Sequence, residues 1–377
     1  MTHPAAPLEP QGPRQVLTLR NRGSSARGHE AITLETMAHR IAALMGGVYA
    51  GEYAPSASYA GPPFFVPADT LIDSQAASLG VRSIDDLFGG VVPYPFVATK
   101  IVSHPALTPG SRVPAGWSRT LARQLGDAVL PGFSVFTADD ARKACSRLFE
   151  LGVARLKPAL GIGGSGQSVI ACRADLDAAL EQIDPNELHE YGLAVELNLD
   201  DAVTFSIGQA ELAGIRITYH GTQRLTPNRN GTLVYGGSEL HVVRGCFPAL
   251  LALDLPAGIR TAVEQARCFD AALSQAFPSL FASRRNYDVI QGHDRDGRLR
   301  TGVLEQSWRI GGASPAEIGA IQALQADPTL QRVHASTHEV YALQPAPDDA
   351  EVYFSGEDPR VGPLTKYSRV QADGCQA

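Results

Sequence analysis

Lysine is scarce in this chain, and where it falls is the first chemical signal. Lys and Arg together number 32, and only Lys100, Lys143, Lys157 and Lys366 are lysines, which leaves 28 arginines. Where arginine supplies nearly every surface cation, a lysine stands out as a compact ammonium. Lys157 closes the short apolar run 152–156. Gly161, Gly163, Gly164 and Gly166 follow, and 168–172 returns to strand-forming residues. Strand, glycine loop, strand describes a hairpin whose tip carries little side chain, so its backbone N–H groups can lie against a polyphosphate. The same composition also suits a plain flexible hairpin. It is not a Walker loop, because the lysine precedes the glycines, and it is not a Rossmann turn, because strand rather than helix follows the loop. Lys143 lies in a helical pattern and Lys366 in the tail, where both read as ordinary surface residues. Lys100 and Lys157 sit at element ends.

A second constellation lies downstream. The run L-E-Q-S-W-R-I-G-G-A-S at 304–314 spaces Glu305, Ser307 and Arg309 two apart. On a strand the three share one face. A carboxylate, a hydroxyl and a guanidinium on one face can make an oxygen-ligand magnesium site beside an anion clamp, or simply a surface of mixed charge. Asp288, on the preceding strand, can meet Glu305 across the turn and add a second carboxylate.

Composition narrows the class. The chain has 377 residues, 44% hydrophobic and 19% charged, enough for two or three domains with sizeable cores. A net charge of −7 gives no electrostatic support to a nucleic-acid or membrane-surface role. Cys145, Cys172, Cys246, Cys268 and Cys375 are scattered, with no C-x-x-C pair to indicate a disulfide framework or a zinc site. With no signal peptide and no membrane-length apolar run, the expected location is cytoplasmic. Homodimerisation is left open.

The elements that must position these residues fall into units. Residues 1–14 read as a disordered, Pro- and Ala-rich tail. Residues 15–104 read as an α/β domain, with strands at 16–19, 64–66 and 91–97, a helix at 30–44 and a helical turn at 84–88. Residues 105–191 read as a small α+β lobe: a helix at 117–125, a strand at 129–136, a helix at 138–151 capped by Thr137, the glycine hairpin, and a helix at 175–183. Residues 192–330 read as a larger lobe, with strands at 193–199, 203–209, 215–220, 240–244, 287–291 and 302–305 and helices at 256–277 and 316–326. Residues 331–377 read as a C-terminal extension with strand-like runs at 339–343 and 351–354 and a turn-rich end.

The order of K-P-A-L-G-I-G-G-S-G-Q, V-E-L-N-L and D-V-I…L-E-Q-S-W-R-I-G-G resembles the ATP-grasp superfamily over roughly residues 90–325. The resemblance implies mixed α/β and α+β architecture: an N-terminal α/β pre-domain, a small lid lobe, and a larger C-terminal lobe with an antiparallel sheet. It implies ATP and Mg2+ as cofactors, with Mn2+ as a substitute. It implies that Lys157 and Lys100 contact the nucleotide phosphates and that Gly161, Gly163, Gly164, Ser165 and Gly166 cover them. Glu196, Leu197 and Leu199 would form the adenine-holding hinge, Asp288, Glu305 and Ser307 would hold the metal, and Arg309 would steady the transferred phosphate. Ser307 stands where the superfamily carries Asn, the separation 305 − 288 = 17 is long for the family, and the ribose acid is not obvious beyond Asp200 or Asp201.

The implied reaction is ligation of small molecules: a carboxylate is activated as an acyl phosphate and an amine, or a thiol, displaces phosphate. An ATP-dependent kinase and a nucleotide-binding regulatory protein without turnover are the alternatives. No G-x-S-x-G elbow supports a hydrolase. Arg224 and Arg244 suit either the acceptor pocket or ordinary salt bridges, and His104, His220 and His241 read as structural or surface residues. Removing the Lys157 ammonium should weaken ATP binding by about 1.5–3 kcal/mol, the range for a charge-assisted contact. Lys143→Ala should change little, and equal ATP titrations for the two variants would contradict the lid reading.

Overall fold

The computed structural model describes residues 12–20, 28–161 and 166–372. Most of the expected tail 1–14, the loop residues Gly163, Gly164 and Ser165, and Cys375 lie outside the described residues.

The N-terminal unit is a parallel three-stranded sheet. β1 (Gln15–Leu19) is central, and α1 (His29–Leu44) leads to β2 (Val48–Glu52) on one side while β3 (Pro63–Pro67) pairs on the other. β4 (Leu71–Ile72), α2 (Asp73–Leu79) and β5 (Gly90–Val92) follow. The strand expected at 91–97 ends at Val92, and Pro95–Ala98 is a short 3-10 turn. Pro93 and Pro95 lack the N–H that a ladder needs. Residues 84–88 form no helical turn; Leu87 instead bridges Phe65.

The small lobe runs through α3 (Leu121–Leu125), β6 (Gly132–Val135), α4 (Ala138–Leu148), β7 (Ala154–Pro158), β8 (Ser168–Ile170), α5 (Arg173–Glu181), α6 (Pro185–Tyr191) and β9 (Leu193–Leu197). Its strands form one antiparallel sheet, ordered β6-β9-β7-β8. The expected cap on α4 is present, with Thr137 Oγ1 accepting from the Asp140 amide at 3.1 Å. α3 is shorter than expected because Pro114 and Gly116 hold the preceding residues in turns.

The large lobe comprises β10 (Asp200–Leu212), β11 (Ile215–Pro227), β12 (Leu233–Arg244), α7 (Phe247–Leu251), α8 (Ala257–Ala276), β13 (Phe281–Ala282), β14 (Arg284–His293), β15 (Leu299–Ser307) and α9 (Ser314–Ala326), then β16 (Arg332–Val340), β17 (Glu351–Asp358) and β18 (Gly362–Ala372). Eight antiparallel strands run in the order β15-β14-β10-β11-β12-β16-β18-β17. The strands of the C-terminal extension thus complete this sheet. β18 was not legible because the positions sharing its inward face, Leu364, Lys366, Ser368 and Val370, are not uniformly apolar.

α8 packs its buried Val263, Ala266, Phe269 and Leu273 with Tyr287, Val289 and Val303 on one face of the sheet. α1 and α9 pack with Ile217, Tyr219, Leu240 and Val242 on the other. This second face also holds a buried ion pair. Arg284 and Glu317 are almost completely inaccessible and 2.9 Å apart. Tyr219 donates its hydroxyl proton to Glu317 at 2.5 Å, and Arg284 donates to the carbonyls of Ser307 at 3.2 Å and Arg309 at 2.6 Å. The pair therefore ties the β15–α9 loop to the body of the sheet. Removing one partner of such a pair strands a charge, so Glu317→Gln should cost about 3–5 kcal/mol of unfolding free energy. Replacing both with Arg284→Met and Glu317→Leu should recover most of it. Urea titration of the three proteins checks this, and a neutral Glu317→Gln would contradict it.

Candidate functional site

A cavity of about 880 Å³ lies along the inner face of the large sheet, between the two lobes and the N-terminal unit. β9 brings Glu196 and Leu197, with Leu199 just beyond it, to one end, where Lys157 arrives from β7 and Ile290 and Leu304 from β14 and β15. In register, β14 and β15 set Asp288 opposite Glu305 and Asn286 opposite Ser307. Arg309 lies beyond β15, in the loop before α9. Asp288, Glu305, Ser307 and Arg309 line the same cavity as Glu196, Leu197 and Leu199.

At the hinge end, the ammonium of Lys157 is ion-paired with Glu196, both side chains almost fully buried. His104 Nε2 contacts the other Glu196 oxygen at 3.1 Å. Burial pushes the Glu196 carboxyl up, but Lys157 and the His104 hydrogen bond outweigh it and hold the group down at about 2. His104 is thus part of the site's support, as the structural reading of that residue anticipated. Asn198 lines the cavity and takes two hydrogen bonds from Arg155, at 3.0 and 2.7 Å. Asp200 and Asp201 do not line the cavity, so neither occupies the ribose position expected of them.

Lys100 does not itself line the cavity; it lies 2.9 Å from Glu305, which does, and donates to the Gly161 carbonyl at 2.7 Å. It is buried, held by the short 3-10 helix Lys100–Ser103. One ammonium thereby joins the root of the glycine loop to the acidic strand. Gly166, at the other root, has φ +72°, a left-handed conformation suited to glycine. Asp288 accepts from Gln223 Nε2 at 2.8 Å. Burial and the facing Glu305 nevertheless push its carboxyl up to about 7. Ser307 Oγ accepts from Arg284 at 3.2 Å, which leaves it beside a buried cation. Arg309 is half-buried, 4.0 Å from Asp69, and donates to the Ile310 carbonyl at 2.9 Å. Among the described residues no group of three His, Cys, Asp or Glu side chains is arranged to hold a metal; Asp288 and Glu305 form a facing carboxylate pair.

The sequence reading missed four residues. Arg284, Glu317 and Asn286 build the polar network under the loop, with Asn286 donating to Ser206 at 2.7 Å and to Tyr219 at 3.1 Å. Lys366, read as a surface residue of the tail, is buried and lines the cavity. Lysine scarcity was the available signal for Lys366. Arg224 and Arg244 do not line the cavity: Arg224 contacts His338 and the Thr337 carbonyl, and Arg244 caps the carbonyls of Leu324 and Leu330.

One solved structure, at TM-score 0.50, agrees with this chain at the level of fold. The phosphoribosylamine–glycine ligase of Thermotoga maritima superposes with TM-score 0.50 at 10% identity, covering 95% of this chain and 92% of that one. A D-alanyl-alanine synthetase A of Vibrio cholerae gives TM-score 0.47 at 13% identity, covering 81% and 90%. D-cycloserine synthetase DcsG gives 0.44 at 15%, covering 79% and 92%. The chain has the ATP-grasp fold. No curated protein matches its sequence. The chain belongs to the family described as "Protein of unknown function (DUF3182)", whose model matches residues 16–368.

Glu196 offers a test of the hinge. Its folded carboxyl lies below its unfolded value, so its stabilisation is present above the ordinary carboxylate range and is lost as pH falls toward about 2. Glu196→Gln should therefore cost about 3–5 kcal/mol at pH 7, as for a broken buried pair. The gap to wild type should narrow as melts are taken from pH 5 down to pH 3. A gap independent of pH would contradict the pairing.

Proposed function

We propose that this protein is an ATP- and Mg2+-dependent ligase that activates a small-molecule carboxylate as an acyl phosphate and passes the acyl group to an amine, or to a thiol. The observation that carries the reading is the continuity of one cavity from the hinge pair Lys157–Glu196 to the carboxylate pair Asp288–Glu305 and on to Arg309. The adenine end is assigned to Leu197, Asn198 and Leu199, with Lys157 and Lys100 directed to the phosphates. The loop 161–166, of which Gly161 and Gly166 are described, would close over them.

Two facing carboxylates, one raised by burial and by its neighbour, form a donor set that a divalent cation relieves. Asp288 and Glu305 would hold Mg2+ or Mn2+; when bound, the ion neutralises phosphate charge. Ser307 stays at the margin of this set, because its hydroxyl already accepts from Arg284. Arg309 is assigned to the transferred phosphoryl group as a bidentate donor. In the reaction, a substrate carboxylate oxygen attacks the γ-phosphorus and ADP leaves. The amine nitrogen then attacks the acyl carbon, phosphate leaves and a proton passes to solvent. No protein nucleophile is needed. A cytoplasmic location agrees with these substrates, and none of the described helices is long and apolar enough to cross a membrane.

Phosphate release that needs both a carboxylate and an amine is the expected outcome of an ATP-consumption screen, and a stable phosphorylated product would instead mark a kinase. Asp288→Asn and Glu305→Gln should each abolish turnover. They should differ in the nucleotide-free protein. Asp288→Asn removes a buried repulsion and should raise the melting temperature, whereas Glu305→Gln leaves the buried Lys100 without its carboxylate and should lower it. Full turnover in either variant would contradict the metal assignment.

A further inference from the structure

The far end of the cavity, away from the hinge, is built as a recognition site of its own. α1 contributes His29 and Thr33, and the strands β16, β17 and β18 contribute Glu339, Tyr353 and Lys366. Glu339 and Lys366 are register partners, both buried, with Nζ 2.9 Å from the carboxylate. Lys366 Nζ also lies 3.4 Å from His29 Nδ1. Among the described residues the Tyr353 hydroxyl and the Thr33 hydroxyl have no hydrogen-bond partner, although both residues are more than nine-tenths buried. Lys366 Nζ stands 5.7 Å from the centre of the Tyr353 ring, and Thr33 lines the same cavity. Buried polar groups are normally satisfied, so the two orphaned hydroxyls call for a ligand.

The charges choose its class. A phosphate or a dicarboxylate would meet Glu339, and a simple cation would meet Lys366. An apolar group would leave both hydroxyls unpaired. A net-neutral group carrying both charges compensates each side. Its carboxylate can take the remaining Lys366 N–H and the Tyr353 and Thr33 hydroxyls, and its ammonium the remaining Glu339 oxygen. Position shows which part of a substrate this is. From Asp288 on β14 to Glu339 on β16 the sheet crosses β10, β11 and β12. Four strand spacings make about 19 Å along the sheet, too far for the group held here to be the one that reacts.

We infer that this end of the cavity binds the zwitterionic α-amino-acid terminus of an elongated substrate whose other end carries the reacting group, an inference that rests on the ligase reading for the identity of that reacting end.

The test is direct binding without ATP turnover, so its failure is separable from failure of the ligase reading. The probe is γ-glutamylalanylglycine, which has an amino-acid zwitterion at one end and a carboxylate at the other. Calorimetry would compare it with its N-acetyl form, its form amidated at the glutamyl α-carboxyl, and maltotriose. Wild type should bind the parent about tenfold or more tightly than either blocked form, the loss of one charge-assisted bond. The charge-free variant Glu339→Gln/Lys366→Met, checked for folding by its melting curve, should bind parent and blocked forms alike. Equal binding of parent and blocked peptides by wild type, preference for maltotriose, retained discrimination in the folded variant, or no measurable binding of the parent would each overturn the inference.

Discussion

A guanidinium and a carboxylate locked together in the interior, Arg284 and Glu317, are the constraint on which the rest of the site depends. Arg284 opens β14, two strand steps from Asn286 and four from Asp288, and Glu317 lies in the first turn of α9. Their pair fixes the start of the carboxylate strand against the start of the helix. The remaining donors of Arg284 hold the Ser307 and Arg309 carbonyls. Two buried charges are expensive to desolvate and are tolerated when every donor and lone pair is met. Tyr219, backed by Asn286, completes the set. The loop that carries Arg309, Gly311 and Gly312 is therefore held from beneath as well as by its own bonds from Arg309 to the Ile310 carbonyl and from the Gly311 amide to Ser314. At Gly312 a Cβ would overlap the Tyr235 ring, so the loop's close approach to β12 requires glycine.

The same device recurs along the cavity. Lys157–Glu196 stands at one end, Glu305 in the middle with Lys100 behind it, and Lys366–Glu339 at the far end. Each joins two elements: β7 to β9, the 3-10 helix to β15, and β18 to β16. Each ammonium is buried and each carboxylate takes it at short range. The remaining lysine, Lys143, is exposed on α4. A cavity lined by internally neutralised pairs can admit charged groups by exchange of partners, at less cost than admitting them beside bare charges.

Much of this was legible in the sequence, and the limits have physical causes. Lys157, the glycine run and the alternation of Glu305 with Ser307 are local patterns, and they carried the fold through the resemblance they support. The facing of Asp288 and Glu305 followed from a two-strand reading of 287–305. What escaped were contacts between residues distant in the chain. Nothing near Arg284 points to Glu317, 33 residues on, and nothing in the tail marks Lys366 as interior, because its strand shows no apolar alternation. Prolines at 93, 95 and 131 shortened strands whose hydrophobic pattern ran past them. The expected ribose acids failed because β10 bulges between Asp200 and Val203, with φ +48° at Asp201, and neither acid lines the cavity.

The central claim is that a carboxylate attacks the γ-phosphorus of ATP bound in this cavity. Positional isotope exchange measures that step without the acceptor. With ATP labelled by 18O in the β,γ-bridge, reversible acyl-phosphate formation lets the β-phosphate of ADP rotate and moves label to non-bridging positions. The account predicts scrambling that depends on both Mg2+ and an added carboxylate, in the absence of any amine. Label that stays in the bridge while ATP is demonstrably bound and the full reaction turns over would contradict it.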